Sequence, residues 1–305
     1  MSKSSPYDHN LDFSFDDVFC DGESSSAKIS ISGVQEKFPA VVDNGRIRRA
    51  TRSERSTHIL KPIPADRSLR DRHCIPVNEY LTMQIASEVY RIKTASYGLC
   101  YTSDGKPVYI TERFDILPDG SKLIMEDFAS LLGKNEFTQG KHYKYSGSYE
   151  DIAKAIKQHL SAPMVELERF FNLLVFNYIY ANGDAHLKNF SIIRGREGSV
   201  LAPAYDLLNT ALHVNDDDFA LEEGLSPTLE KSDIWLRTGH PAKEDFINFG
   251  LMIGLKEVRI QGIVRNYNAL DQRVKNMIET SALPKKAKRI YLRILLERLS
   301  RFNRQ

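Results

Sequence analysis

The sequence predicts an α+β protein in two parts, a small β-rich part up to residue 113 and a larger, helix-dominated part over 114–305. Before Phe114, short runs alternate with period two, which is typical of strands. After Phe114, apolar residues recur at helical spacing, most clearly at Leu167, Phe170, Phe171, Leu174 and Tyr178. No internal repeat of roughly 20 to 50 residues is present, which argues against a solenoid.

Length and composition are those of a globular protein that has room for a cleft. The 305 residues suffice for two lobes, and 42% apolar with 27% charged residues is an ordinary balance. The first ten residues resemble neither a secretory signal nor a transit peptide, and no apolar run is long enough for a membrane span. We therefore expect a cytoplasmic protein with no membrane partner, or one that acts in another cell's cytosol after non-classical secretion.

Charge and cysteine content exclude further classes. A net charge of +2 gives no overall nucleic-acid signature, although basic residues cluster from Lys285 to the end of the chain. That segment predicts an amphipathic helix with a solvated basic face. The three cysteines, Cys20, Cys74 and Cys100, lack CxxC spacing, so we expect reduced thiols and no zinc site.

The β-rich part begins after a polar stretch. Residues 1–27 are acidic and serine-rich, which predicts a flexible extension. The segment 28–113 would hold a strand at 29–31, a turn at Gly33 and a strand over 38–42. A further strand over 57–61 ends at Pro62, a helix is predicted over 77–90, and two strands at 97–102 and 108–113 flank a turn.

In the second part, the helix with the apolar stripe runs into Ala181-Asn182-Gly183-Asp184. Two β-type runs follow, at 190–193 and 200–201, and form a short hairpin ahead of Tyr205-Asp206. The last hundred residues look helical. We expect the helix described above to be buried on one side.

One loop has the residue types that phosphoryl transfer requires. Asp184-Ala185-His186-Leu187-Lys188-Asn189 reads D-x-x-x-x-N, the spacing of a catalytic carboxylate and a metal-binding amide in protein kinases. Asp206 follows after the hairpin and offers the hard oxygen ligand that Mg²⁺ prefers. By itself, D-x-x-x-x-N recurs by chance and is also compatible with a capped turn. Its significance depends on the other kinase-like residues that accompany it in the sequence.

An upstream lysine is one of these accompanying residues. Lys61 lies at the end of a β-type run, as a phosphate-binding lysine would. Glu79 on the following helix is either its ion-pair partner or a solvated helix residue.

Six motifs in this order resemble the HipA-like kinase toxins: Ile29-Ser30-Ile31-Ser32-Gly33-Val34-Gln35-Glu36-Lys37, Thr57-His58-Ile59-Leu60-Lys61, Asn78-Glu79-Tyr80, Glu112-Arg113-Phe114-Asp115, Gly183-Asp184-Ala185-His186-Leu187-Lys188-Asn189-Phe190 and Tyr205-Asp206. They span about residues 28 to 210. The resemblance implies a two-lobed protein-kinase-like fold that uses ATP and Mg²⁺ as a serine/threonine protein kinase.

The resemblance also assigns roles to residues. It implies Asp184 as catalytic base, with His186 and Lys188 beside the transferred group, although His186 could equally orient Asp184. Asn189 and Asp206 would hold the metal. The implied nucleotide-binding residues are Lys61 on the phosphates, Glu112 and Phe114 on the linker between lobes, and Ser32, Gly33 and Val34 in the phosphate loop.

Regulation and partners follow from the resemblance as well. Ser30 aligns with the serine that HipA-like kinases autophosphorylate, and Ser32 is a second candidate in the Ser-x-Ser arrangement of the short HipT-like form. A phosphate there would repel ATP. The implied partners are an aminoacyl-tRNA synthetase as protein substrate, a HipB-like helix-turn-helix antitoxin, a small HipS-like protein, and DNA only through the antitoxin.

The residues are also compatible with two other functions. Gly183-Asp184-Ala185-His186-Leu187-Lys188-Asn189 also satisfies the G-D-x-H-x-x-N pattern of small-molecule kinases of the aminoglycoside or choline type. The basic C-terminal segment is compatible with a catalytically silent co-repressor module that acts on DNA. The acidic run 216–218 is read as a surface loop, with cation binding as the alternative.

Overall fold

The computed structural model describes residues 11–15, 35–43 and 45–305. The strands in these ranges are β1 Phe38–Asp43, β2 Arg46–Arg49, β3 His58–Lys61, β4 Tyr97–Tyr101, β5 Pro107–Glu112, β6 Ile124–Asp127, β7 Ser191–Gly195 and β8 Gly198–Leu201. The α-helices are α1 Ile75–Glu88, α2 Phe128–Leu131, α3 Glu136–Gln139, α4 Tyr149–His159, α5 Pro163–Ile179, α6 Asp233–Thr238, α7 Lys243–Met252, α8 Glu257–Val264, α9 Gln272–Thr280 and α10 Lys285–Phe302. Short 3-10 turns lie at Arg72–Cys74, Tyr143–Tyr145, Leu187–Asn189, Thr210–Leu212 and Arg265–Tyr267.

The N-lobe is built on an antiparallel sheet of five strands in the order β2-β1-β3-β5-β4. Strand β2 was not predicted, because Arg46-Ile47-Arg48-Arg49 carries too much charge for a period-two apolar pattern. It pairs with β1 across a hairpin at Gly45, whose φ of 77° favours glycine. In the centre, β3 lies between β1 and β5, and its last residue, Lys61, pairs with Tyr109 of β5.

Part of the acidic N-terminal stretch packs onto this sheet. Leu11 and Phe15 are buried, and the Phe15 ring lies 4.9 Å from the Phe38 ring. The Leu11 backbone N–H donates to the carbonyl of Tyr101 at 2.7 Å. The prediction of a flexible extension over residues 1–27 is therefore wrong for 11–15, because its apolar side chains complete the core of the sheet. The expected strand at 29–31 and turn at Gly33 lie outside the described residues.

Helix α1 packs on β4 and β5 and brings Glu79 to the sheet. Pro76 lies in its first turn, where the missing N–H costs no hydrogen bond. The strands predicted over 38–42, 57–61, 97–102 and 108–113, and the helix itself, are confirmed to within two residues at each end.

The C-lobe is organised around α5. The five residues of the predicted stripe are each at most 1% exposed. Burial is not confined to one side as expected, since Leu173, Val175 and Phe176 on the other faces are buried too. Helices α4, α8 and α10 contact α5 from different directions, which explains why its second half is enclosed.

A second antiparallel sheet, β6-β7-β8, lies within the helical part. The β7–β8 hairpin confirms the two β-type runs predicted there, whereas β6 was not predicted. After the hairpin, the backbone N–H of Ala204 donates to Lys93 O at 2.8 Å, and Ala95 N–H donates to Ala204 O at 2.9 Å. These bonds tie the segment leading to Asp206 to the N-lobe.

Cys74 and Cys100 are free and buried, as expected for reduced thiols, and Cys20 lies outside the described residues. Burial raises the pKa of the Cys74 thiol to about 11 and that of Cys100 to about 12. Among the described residues, no helix combines the length and the apolar character that crossing a membrane requires.

Candidate active site

A buried charge cluster joins the two lobes. Lys61, at the end of β3, donates from Nζ to Glu79 Oε1 on α1 and, at 2.5 Å, to Asp206 Oδ1. Lys61 is 2% exposed and Glu79 is 0% exposed. Of the two roles expected for Glu79, the structure therefore supports the ion-pair partner of Lys61 and not a solvated helix residue.

The charges in this cluster support one another. Burial alone would lower the pKa of Lys61, but Asp206 and Glu79 outweigh it and raise that pKa above its ordinary value. Burial would raise the pKa of Asp206, but Lys37 and Lys61 hold it well below its ordinary value. Asp206 is therefore ionised, while burial raises the pKa of Glu79.

Lys37 is a site residue that the sequence reasoning did not single out. Its Nζ lies 3.0 Å from Asp206 Oδ2, so the Asp206 carboxylate contacts a lysine on each oxygen. Lys37 immediately precedes β1 and belongs to the first motif of the resemblance, which was the available signal. Ser30, Ser32, Gly33 and Val34 from that motif lie outside the described residues.

The D-x-x-x-x-N segment forms a tight loop that ends in the 3-10 turn Leu187–Asn189. Asn189 Nδ2 donates to the backbone carbonyl of Asp184 at 2.7 Å, and the His186 N–H donates to the same carbonyl at 2.8 Å. These bonds fix the backbone at Asp184, whose side chain is almost fully buried. The Asp184 carboxylate accepts a hydrogen bond from Tyr145 at 3.1 Å on Oδ1.

His186 is a neutral neighbour of Asp184. Its Nε2 lies 3.7 Å from Asp184 Oδ1, but burial lowers the pKa of His186 to about 3, with the charge of Lys144 acting in the same direction. The contact is therefore not an ion pair at neutral pH. This favours the interpretation in which His186 orients Asp184 over one in which it carries charge to the phosphoryl group.

Lys188 lies on the same loop, half-buried. Its Nζ is 3.4 Å from the hydroxyl of Tyr143, and its backbone carbonyl accepts a hydrogen bond from the Tyr205 hydroxyl at 2.8 Å. Tyr205 precedes Asp206, so this bond couples the catalytic loop to the charge cluster.

Two residues of the site have strained backbone conformations, and hydrogen bonds between their two loops hold them in place. Asp206 has φ of 57° and Ala181 has φ of 50°, a region that side chains other than glycine rarely adopt. Asn182 Nδ2 donates to the Asp206 carbonyl at 3.3 Å, and the Gly183 N–H donates to Thr210 Oγ1 at 2.8 Å. The strain is thus held by hydrogen bonds between residues 181–183 and 206–210.

Asp216 is a second residue that the sequence reasoning missed, since the run 216–218 was read as a surface loop. A Cβ placed on Gly183 would lie 2.3 Å from the Asp216 Cβ. Burial raises the pKa of Asp216, and the nearby charge of Asp184 adds to the effect. The close approach across Gly183 therefore brings a half-buried second carboxylate to the catalytic loop.

Glu112 is the last residue of β5, and Phe114 follows it two residues later. Phe114 is half-buried, and its ring is 5.7 Å from the ring of Tyr205. The Glu112 N–H donates to Ser96 O at 3.0 Å, so adenine recognition by that N–H would require breaking this bond.

The residues expected to hold a metal have a suitable donor set. Asp206 is ionised. Asn189 donates to Asp184 O through Nδ2, so its amide oxygen is the atom that could bind a metal. In the described part of the chain, no group of three or more His, Cys, Asp or Glu could hold a metal by itself. A Mg²⁺ ion would therefore take its remaining ligands from phosphates and water, as Mg²⁺ ordinarily does.

Comparison with known proteins gives consistent matches. A family model described as HipA-like C-terminal domain matches residues 29–275. "Putative kinase Y4mE" of Sinorhizobium fredii is 28% identical over 216 residues, which is 68% of this chain and 48% of that protein. A "Putative kinase" of Haemophilus influenzae is 27% identical over 299 residues, 90% of this chain and 82% of that protein.

A further relative is the serine/threonine-protein kinase toxin HipA of Shewanella oneidensis, which is 24% identical over 201 residues, 61% of this chain and 44% of that protein. The chain thus spans about half the length of Y4mE and of this toxin.

Two solved structures share the fold. HipA in the Shewanella oneidensis complex of HipA, HipB and operator DNA has a TM-score of 0.68 at 18% identity, over 99% of this chain and 74% of that one. The Helicobacter pylori proinflammatory kinase CtkA has a TM-score of 0.54 at 17% identity, over 88% and 91%. The predicted two-lobed, kinase-like fold is confirmed.

Proposed function

The chain belongs to the HipA-like C-terminal domain family, and from this premise we propose that it is an ATP-dependent serine/threonine protein kinase of the HipA toxin type. One observation carries the proposal. The buried cluster of Lys61, Glu79 and Asp206 is linked through Tyr205 and Asn182 to the loop that presents Asp184 and Asn189. Phosphoryl transfer needs such positioned charges more than covalent chemistry.

In the proposed reaction, each residue has a limited task. Lys61, fixed by Glu79, binds phosphate oxygens of ATP, and Phe114 lines the linker near the adenine. Asn189 and Asp206 would hold Mg²⁺, which would neutralise charge on the phosphates. Asp184 accepts the proton of the acceptor hydroxyl as the new oxygen–phosphorus bond forms and the bond to ADP breaks. Lys188 stabilises the transferred group, and His186 orients Asp184.

We propose that Ser30 or Ser32 is phosphorylated by the chain itself and that the modification inhibits it. The segment that carries both serines leads directly into Lys37, which pairs with Asp206. A phosphoserine adds about −1.5 to −2 charges and would compete with ATP phosphates for these lysines. Ser32, Gly33 and Val34 would cover the phosphates in the active form.

The proposed partners follow from relatives. A serine/threonine-protein kinase toxin and a structure with HipB and operator DNA are among the matches. On that basis we propose a HipB-like antitoxin and DNA contact through it. The motif resemblance alone leads us to propose a small HipS-like protein as a further partner and an aminoacyl-tRNA synthetase as substrate. We propose the cytoplasm as the site of action.

The test is transfer from γ-labelled ATP with Mg²⁺ by the full chain. The wild type is expected to label itself at Ser30 or Ser32, and Asp184→Asn is expected to lose at least about 100-fold, the usual contribution of a general base. The control is Asp119→Asn, which removes an exposed loop carboxylate. A Ser30→Ala/Ser32→Ala chain should lose self-labelling while it still labels a protein acceptor.

The same assay separates the alternatives. Transfer to an aminoglycoside or to choline, with no labelled protein, would establish the small-molecule kinase instead. Absence of any transfer, together with salt-dependent binding of duplex DNA by the chain alone, would establish the silent co-repressor module. A phosphoproteome compared between cells expressing wild type and Asp184→Asn would identify the substrate.

A further inference from the structure

Tyr145 contacts Asp184 from outside the motifs of the active site. It lies in the 3-10 turn between α3 and α4, and its hydroxyl donates to Asp184 Oδ1 at 3.1 Å. Its ring packs edge-on against His186 at 5.2 Å, and Lys144 Nζ lies 4.8 Å over the ring centre. The side chain is therefore aimed at the carboxylate that we propose as base.

The Tyr145 hydroxyl occupies the position beside Asp184 that the acceptor hydroxyl must take during phosphoryl transfer. A general base works only when the proton it removes is within hydrogen-bond reach, about 2.6 to 3.2 Å between heavy atoms. The Tyr145 hydroxyl already meets that requirement on Oδ1. Because Asp184 is 5% exposed, little of its carboxylate is open to a second donor.

A cavity leads to this point. It has a volume of about 520 Å³ and is lined on one side by Lys141, Lys144 and Tyr145, and on the other by Asp184, Asp216 and Phe219. Tyr145 and Asp184 both line the cavity, so an acceptor entering this way meets Tyr145 at the base.

The turn is anchored, but the side chain can move. The Glu222 N–H donates to the Tyr145 carbonyl at 2.9 Å, and Lys134 Nζ donates to the Ser146 carbonyl at 2.8 Å. These bonds fix the backbone at the C-terminal end of the turn. Tyr145 itself is only half-buried, so rotation about its side-chain bonds is the simplest way to vacate the position.

We propose that Tyr145 caps the acceptor position: its hydroxyl takes the place of the acceptor hydroxyl on Asp184 until a protein acceptor displaces it. The proposal rests on the kinase function proposed above. In the capped state water is kept from the base, so transfer of the phosphoryl group from ATP to water, which yields ADP and phosphate, is suppressed. The acceptor breaks one hydrogen bond to enter and makes the equivalent bond itself.

Tyr145→Phe in the full chain tests the cap, because it keeps the ring and leaves space beside Asp184 for about one water molecule. ADP release without acceptor is expected to rise about 10-fold, in keeping with one hydrogen bond to a charged group. With dephosphorylated casein as acceptor, KM is expected to fall several-fold, with kcat changed by less than about 2-fold. Tyr97→Phe is the matched control, since it removes a hydroxyl bonded to Ser87 at 2.7 Å on the N-lobe sheet.

Four results would overturn the cap. Equal losses of kcat toward water and toward casein would make Tyr145 a positioning residue. Rates identical to wild type would remove any role, and phosphate on Tyr145 would make it an acceptor. A wild-type chain that neither releases ADP nor labels any protein would overturn the kinase proposal and the cap with it. Equal melting temperatures of variant and wild type exclude misfolding as the cause of a change.

Discussion

Lys61 Nζ and Asp206 Oδ1 lie 2.5 Å apart although 145 residues separate them in the chain. Glu79 completes the contact from a third element, so β3, α1 and the segment after β8 meet at one buried ammonium group. The stability of the fold and the proposed chemistry therefore depend on the same charges.

Lys61→Met is expected to lower the free energy of unfolding by about 3–5 kcal/mol, because it leaves Glu79 buried without its cation and Asp206 with Lys37 alone. Urea denaturation followed by circular dichroism measures it. The control Lys106→Met removes an exposed lysine paired with Asp104 and should change stability by less than about 1 kcal/mol. An unchanged midpoint for Lys61→Met would contradict the buried pairing.

Gly183→Ala is expected to lower phosphoryl transfer at least about 10-fold and stability by about 1–3 kcal/mol, because the new Cβ meets Asp216 at 2.3 Å. Self-labelling and denaturation measure the two effects. Gly262→Ala is the matched control, since nothing lies within 4 Å of a Cβ there and it is helical. The double variant Gly183→Ala/Asp216→Gly should recover stability, and failure to recover would show that the clash is not the cause.

Stability is expected to fall on acidification because His186 is buried neutral. In the unfolded chain the imidazole binds a proton near pH 6.5, whereas in the folded chain its pKa is about 3. Between these values the unfolded state binds more protons, so the free energy of unfolding falls by up to about 1.4 kcal/mol per pH unit as pH drops below 6.5.

His186→Gln should reduce that slope between about pH 6 and pH 4, as measured by denaturation at several pH values. Some slope should remain, because burial also lowers the pKa of His213 to about 4. His73→Asn, which removes an exposed imidazole, is the control. A slope in His186→Gln equal to that of wild type would contradict a neutral His186.

Arg298→Met on α10 is expected to destabilise the fold by about 3–5 kcal/mol. Arg298 is buried, pairs with Asp218 and lies 5.2 Å over the ring of Tyr178, so its loss leaves a poorly hydrated carboxylate with only His240 and a longer contact to Arg301. Thermal and urea denaturation measure the effect. Arg293→Met on the exposed side of the same helix should stay within about 0.5 kcal/mol of wild type. Equal effects of the two variants would mean that the pair with Asp218 carries no stability.

That pair corrects the prediction for one residue of the C-terminal helix and one of the acidic run, whereas Lys285, Lys286, Arg289 and Arg293 of the helix are exposed as predicted. The basic residues were expected on a solvated face, and the carboxylates 216–218 in a surface loop. Arg298 and Asp218 instead pair across 80 residues, and His240 Nδ1 adds a contact to Asp218 at 2.7 Å. Composition gave no indication of this, because two clusters of opposite charge far apart in sequence have many possible partners.

The elements with strong local patterns were predicted well. Strands β3, β4, β5 and β7 and helices α1 and α5 follow from periodicity and from turn residues, because period two and period 3.6 reflect which backbone positions face a core. Strands β2 and β6 were missed. Strand β2 is mostly charged, and β6 does not alternate in burial, because its first two residues are exposed and its last two are half-buried. Both are edge strands, where pairing with a neighbour and not burial determines the conformation.

By itself the sequence determined which residue types are present and at what spacing: the Asp184 to Asn189 loop, the strand lysine Lys61, the later Asp206, and the motif order that indicated the family. Only the tertiary structure decided which of these side chains touch. It paired Lys61 with Glu79, brought Lys37 to Asp206, and placed Tyr145 and Asp216 at the catalytic loop. Local spacing is encoded by the backbone geometry of one element, whereas contacts between distant residues depend on how all the elements pack into a common core.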